Sequence, residues 1–315
     1  MLTVIAITLP IFLVVGLGFG ATKAGLFSTA DMRIFGRFVI SIALPALLFT
    51  AIAKRDVAEV FDPGFMGLYA AASLLVMGVA YVWFHHIRGM SLQQAGICIM
   101  GVACSNSGYM AFPIILLAFP DRAAEVLAMS LMVENLLMIP LVLILIAIGK
   151  GRGSASLGMM VWGIVRDLMR RPLILALIAG LAWSVLKLPL PEVVDRGLVM
   201  IATSSVALAL FVIGGSLAGI AFRGNLALAG QIMLGKLVLH PFAGLLVLGL
   251  AAALGAPMLA PDLRACLLIA CAVPMLGVYP IFAQEVGMEG LASLAMLGTT
   301  AMSFFTLSLA LALLL

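Results

Sequence analysis

Apolar residues run along this chain in blocks of about twenty, separated by short polar or Gly/Pro-containing connections. Ten such blocks lie near residues 3–22, 34–53, 65–84, 93–118, 124–149, 172–189, 197–221, 226–254, 263–286 and 289–315. A helix rises about 1.5 Å per residue, so roughly 20 apolar residues cover the hydrocarbon core of a bilayer. Strands of a membrane barrel would show ~10-residue segments alternating apolar and polar. The runs here are continuous and about twice that long, so the pattern predicts an all-α polytopic membrane protein of ten transmembrane helices.

Two of the ten blocks are interrupted. The fourth contains "CSNSGYMAFPI" (104–114) and the ninth "CAVPMLGVYPI" (271–281). Proline lacks an N–H and locks its backbone angle, so it breaks a helix interior but suits the first position of a new helix. Pro113 and Pro280 therefore read as starts of second half-helices. Upstream of them, Ser105, Ser107 and Gly108 in one run, and Gly277 between Pro274 and Pro280 in the other, favour an unwound segment at mid-membrane depth.

The interruptions are also related to each other. Superposing Pro280 on Pro113, an offset of 167, aligns "YPI" with "FPI" and Cys271 with Cys104. An offset of 162 sets Pro172 on Pro10 and the sixth run on the first. The chain thus divides into a first five-helix repeat (1–149), a connector (150–171) and a second five-helix repeat (172–315). An odd number of spans per repeat inverts the second copy, the arrangement of many secondary transporters. Unwound backbone within a bilayer is tolerated only where protein buries it or a wet cavity meets it. Matched breaks in runs four and nine, crossing at mid-membrane, therefore mark a binding site. Half-helix N-termini there present free N–H groups to an anion such as a carboxylate.

Composition agrees with the bilayer and removes other classes. The chain is 65% hydrophobic and 10% charged, with mean hydropathy +1.29. The pI near 9.0 reflects membrane orientation, not nucleic-acid binding. Lys23, Arg33, Arg37, Arg88, Lys150, Arg152, Arg166, Arg170, Arg171 and Arg223 fall on one side; Lys54, Arg55, Arg122, Lys187, Arg196 and Arg264 fall on the other. The positive-inside rule places the richer side in the cytoplasm and both termini outside. No basic stretch or cleavage site accompanies the first run, which reads as a retained span. The connector turns amphipathic, with Met160, Ile164, Val165 and Leu168 against Arg166, Arg170 and Arg171. It is expected to lie along the membrane surface.

Mid-span ionisable residues are few and usually functional: Glu134 in the fifth run, Lys236 and His240 in the eighth. Lys236 and His240 share a helix face at i, i+4. Lys236 either attracts an anion, pairs with Glu134, or snorkels as a structural residue. Glu134 and Asn135, with Ser105, Asn106 and Ser107, supply oxygens for a sodium ion, while Glu134 alone suits a proton; the sequence leaves both open, and Asn106 or Asn135 as interhelical hydrogen-bond glue is a further alternative. Cys98, Cys104, Cys266 and Cys271 have no metal-ligand spacing and read as small apolar residues, and no metal site is expected. Zincin, P-loop and nucleophile-elbow motifs are absent, so neither an enzyme nor a cofactor is expected.

"AVPMLGVYPIFAQEVG" (272–287) resembles the ninth-helix motif of the auxin efflux carrier family, which includes plant auxin carriers and bacterial malonate-type transporters. "SNSGYMAFPI" is similar to its fourth-helix motif, with Asn106 at the motif's Asn; the second motif has no Asn near its break. "KLVLHP" (236–241) extends the likeness to the eighth span. The resemblance implies a fold like bile-acid symporters and sodium/proton antiporters, an organic-anion substrate, a homodimer and the bacterial inner membrane. The candidate substrate residues are Ser105, Asn106, Ser107, Gly108, Tyr109, Pro113, Pro274, Met275, Gly277, Val278, Tyr279 and Pro280; Glu134, Asn135, Lys236 and His240 are the ion-coupling candidates. A sensor that binds an organic anion without net flux is the alternative function.

Overall fold

The computed structural model describes residues 2–55, 61–150, 158, 162–163, 166–167, 169–219 and 225–315, and every named element among them is helical. In chain order these are α1 (Leu2–Lys23), α2 (Thr29–Ala53), α3 (Pro63–Ile87), α4 (Leu92–Ala103), α5 (Ser107–Ala118), α6 (Ala123–Gly149), α7 (Pro172–Val185), α8 (Glu192–Ala218), α9 (Leu226–Ala253), α10 (Pro261–Ala272), α11 (Tyr279–Gln284) and α12 (Glu289–Leu314). Seven of them, α1, α2, α3, α6, α8, α9 and α12, are each long and apolar enough to cross a membrane. The fourth and ninth runs are split into α4/α5 and α10/α11, and the sixth yields only the 14 residues of α7. The amphipathic face read at Met160, Ile164, Val165 and Leu168, and Arg223, lie outside the described residues.

Where a helix starts, a cap residue explains it. Ser28 and Asp31 form a capping box, as do Ser91 and Gln94, and Asp62 accepts the Phe65 N–H at 2.9 Å just ahead of Pro63. Each cap satisfies N–H groups that have no partner within the helix.

Four prolines inside helices share a signature that Pro10 of α1 lacks, and the widened turn Val82–Ile87 of α3 has no proline after it. The turns Val39–Ala43, Ser107–Ala111, Glu134–Met138 and Gly235–Leu239 are widened to i→i+5 hydrogen bonding, and each is followed two residues on by Pro45, Pro113, Pro140 or Pro241. A proline ring collides with the carbonyl four residues earlier and donates nothing to it. One extra residue in the turn moves that carbonyl aside, and the residue before each proline bonds five residues back, as Ile139 does to Glu134 and His240 to Gly235. Widened turns are frequent at functional sites, and Glu134, Asn135 and Lys236 all stand in them.

The helices pack as two bodies. In one, α1 lies along α8 and α2 lies against α7 and α8; in the other, α3, α4, α5, α6, α9, α10, α11 and α12 pack on one another. Small residues bring α1 and α8 together. A Cβ on Gly214 would collide with the Val15 carbonyl and one on Gly18 with that of Phe211. Between membrane helices, where apolar burial gives little drive, such close backbone approach is a main source of cohesion.

Polar contacts identify which helix ends share a face. Lys54–Asp195 (2.6 Å), Arg55–Glu125 (3.5 Å), Arg122–Glu125 (2.8 Å) and Arg122–Asp262 (2.6 Å) gather the end of α2 and the starts of α6, α8 and α10. On the opposite face Lys150 pairs with Glu285 at 2.9 Å, and Gln93 Nε2 donates to the Gly149 carbonyl at 2.8 Å. The second face carries the connector.

Candidate functional site

The two broken helices meet at their interruptions. α4 ends at Ala103 and α10 at Ala272, and the backbone after each is extended. Asn106 N–H donates to the Pro274 carbonyl at 2.9 Å and Leu276 N–H to the Cys104 carbonyl at 3.0 Å, so Ser105 faces Met275 in a short antiparallel bridge. Each unwound segment thereby satisfies backbone groups of the other. This register sets Cys104 opposite Leu276 across the crossing. It also moves the second helical start in the first motif. The helix resumes at Ser107, with Asn106 as its cap accepting the Tyr109 N–H at 3.3 Å, and Pro113 sits a turn and a half further on.

Lys236 is fully buried (0% exposed) beside this crossing. Its Nζ donates to Ser105 Oγ at 2.7 Å and to the Cys271 carbonyl at 3.2 Å, and meets His240 Nδ1 at 2.7 Å. Ser105 Oγ in turn donates to the Ala270 carbonyl at 2.7 Å. The ammonium thus lies at the C-terminal end of α10, whose carbonyl oxygens form the end of a helix dipole that a cation stabilises, and beside Ser105 just past α4. Its attachment to Ser105 corrects the alternative of a snorkelling side chain.

Glu134 (2% exposed) forms a second node. Its Oε1 accepts from Ser107 Oγ at 2.5 Å and from Tyr69 OH at 2.8 Å. No Glu134–Lys236 ion pair within 4.0 Å is present among the described residues, which sets aside the alternative of a direct pair. The two nodes are joined through α3. Tyr69 stacks on the His240 ring at 6.3 Å and 18°, and Ser73 Oγ lies 3.2 Å from His240 Nε2. Tyr69 and Ser73 escaped the sequence reading. A signal was available, since Ser73 and His240 are 167 residues apart, the offset that superposes Pro280 on Pro113, and Tyr69 stands at the same offset from Lys236.

Asn135 turns away from Glu134. Its Nδ2 donates to the Leu131 carbonyl at 2.8 Å and its Oδ1 accepts from Arg171 Nη1 at 2.8 Å. Ser105 is thus engaged with Lys236 and Asn135 with Arg171.

Two cavities, of about 400 and 440 Å³, lie on the connector side of the crossing. They share Ile40, Asn106, Tyr109, Gly277, Val278 and Ile281 as a common wall. Glu134, Asn135 and Arg171 complete the first; Arg33 and Arg37, both exposed, stand in the second. The Asn106 amide nitrogen has no hydrogen-bond partner among the described residues, although the residue is only 7% exposed. Of the sequence-predicted substrate residues, Asn106, Gly108, Tyr109, Met275, Gly277 and Val278 line one or both cavities. Ser105 and Ser107 instead serve Lys236 and Glu134. Pro113, Pro274, Tyr279 and Pro280 line neither: Pro274 gives its carbonyl to the crossing, Pro113 lies within α5 just past its widened turn, Pro280 takes the second position of α11, and Tyr279 packs on Gly101.

Known proteins are similar to this chain in sequence. A Rhizobium meliloti (strain 1021) protein bearing the name "Putative malonate transporter" is 26% identical over 253 residues, 80% of this chain and 79% of that one. The "Uncharacterized transporter YfdV" of Escherichia coli (strain K12) is 23% identical over 246 residues, 76% of each chain. An "Uncharacterized transporter" of Methanothermobacter thermautotrophicus is 25% identical over 107 residues, 34% of this chain and 35% of its own. The profile described as "Membrane transport protein" matches residues 3–311, so the helices, the crossing and the cavities all fall within it, and the chain belongs to that membrane transport family, the auxin efflux carrier family its two broken-helix motifs resemble.

Proposed function

We propose that this protein is a secondary transporter that carries a small organic anion, a carboxylate, across the bacterial cytoplasmic membrane by alternating access. The antiparallel crossing carries the reading: it holds the Asn106 amide, which has no hydrogen-bond partner among the described residues, at the junction of two cavities on the connector side of the crossing. A transport site must face one compartment at a time. Five spans before the connector and five after it form inverted repeats, with both termini outside, so the present arrangement is open toward the cytoplasm. The ion pairs around Glu125, Arg122 and Asp262 lie over the closed side.

The ammonium of Lys236 occupies the carbonyl-rich end of the crossing where a sodium ion would compete, and that favours a proton as the coupling ion, carried by Glu134. Its carboxylate has one oxygen held by Tyr69 and Ser107, while the side chain borders the first cavity. Bringing an anion into an inside-negative cell costs about 2.3 kcal/mol per charge per 100 mV, so uptake requires such a cation and export does not.

Counterflow of radiolabelled malonate, succinate and acetate in proteoliposomes tests the reading. Accumulation driven by internal unlabelled anion is expected for at least one of them. Binding of an anion without counterflow would replace the transporter by the sensor alternative, and neither binding nor flux would overturn the organic-anion reading.

A further inference from the structure

We propose that Arg171 is an anion-binding residue of this site, supplied by the opposite body of the protein; the inference rests on the reading that the first cavity takes a small organic anion. Arg171 is the last residue before α7, in a connector whose basic residues the sequence assigns to the membrane surface. Because α7 is only 14 residues long, its start lies deep, and the half-buried Arg171 side chain reaches Asn135 in the middle of α6. There it lines the cavity that also holds Asn106 and Glu134.

A guanidinium has five N–H donors in a planar fork suited to a carboxylate. Among the described residues, Arg171 has a hydrogen bond to Asn135 and no carboxylate within 4.0 Å. Asn135 is 8% exposed and is itself held by Leu131, so it fixes the fork in place. Across the same cavity the Asn106 amide offers two further N–H donors from the crossing. A carboxylate between them accepts from both bodies at once, Arg171 from the α1/α2/α7/α8 body and Asn106 from the other. Occupancy then bears on how the two bodies sit together, which is what a transported substrate must do.

The test uses full-length protein in lipid nanodiscs, with malonate, succinate and acetate as probes and the neutral malonamide as control. Affinity is read by calorimetry and by ligand-induced thermal shift. R171Q is expected to weaken carboxylate binding roughly ten- to hundredfold, as loss of a charge-assisted bond does, with the melting temperature of the unliganded protein nearly unchanged. R171K, which keeps charge but loses the fork, falls between. Should R171Q fail to fold, R171K and N135A carry the test, and both are expected to lose affinity severalfold while folded. Wild-type affinity in these variants, with the wild-type protein binding a carboxylate, overturns the role of Arg171 and leaves the anion reading standing. A wild-type protein that binds none of the three carboxylates overturns both.

Discussion

Replacing Lys236 by Met removes a charge from a fully buried position without changing the length of the side chain much. The ammonium donates to Ser105 Oγ at 2.7 Å and to the Cys271 carbonyl at 3.2 Å. Hydrogen bonds involving a charged group contribute about 1.5–3 kcal/mol each, so two of them sum to roughly 3–6 kcal/mol. That agrees with the about 3–5 kcal/mol lost when one partner of a buried charged contact is removed. Ser105→Ala should cost about 1–3 kcal/mol, because the Ala270 carbonyl also loses its donor. The two substitutions delete one bond in common, so the double variant should be less destabilised than the sum by about 1.5–3 kcal/mol. A second cycle, Lys236→Met with Glu134→Gln, should show a smaller coupling, because no direct bond joins those residues. Unfolding in a graded denaturing detergent, followed by tryptophan fluorescence, measures all of these. Additive behaviour of Lys236 with Ser105, or a larger coupling of Lys236 with Glu134, would refute the assignment of the buried ammonium to the crossing.

Three further outcomes follow from the geometry. Asn106→Ser keeps an oxygen able to cap the Tyr109 N–H but removes the amide donors, so carboxylate affinity should fall about tenfold or more while unliganded stability changes by less than about 1 kcal/mol; titration calorimetry and thermal unfolding on the same sample check both. Glu134→Gln keeps an acceptor for Tyr69 and Ser107, so the protein should fold and bind anion, while the pH dependence of net flux disappears and anion exchange survives; the charged or titratable neighbours Tyr69, Lys236, His240 and Arg171 remain in place, so a profile still shaped like the wild type would assign the proton elsewhere. Gly214→Leu forces a side chain into the Val15 carbonyl and should separate α1 from α8, lowering stability by several kcal/mol, whereas the same change at Gly230, where a Cβ meets nothing within 4 Å, should be nearly neutral.

Much of this architecture was legible in the residues because its causes are local. A span needs a run of apolar residues, and a break needs a proline or small residues within a few positions. Runs four and nine therefore announced their interruptions, and Asn106 its place in one of them. Even four of the widened turns have a local origin, in Pro45, Pro113, Pro140 and Pro241.

What the residues did not contain is which side of each helix meets which neighbour. In a chain so uniformly apolar, hydrophobic periodicity is nearly silent, because lipid and protein interior are alike to a leucine. Lys236 could be recognised as a mid-span cation, yet its bonding to Ser105 instead of Glu134 depends on how α9 is rotated against the crossing. Arg171 read as one more basic residue of a surface connector until the short α7 carried it down to Asn135. The sequence by itself determined where helices run and where they break; rotation and depth, set by packing among helices distant in the chain, decided which buried polar groups share a site.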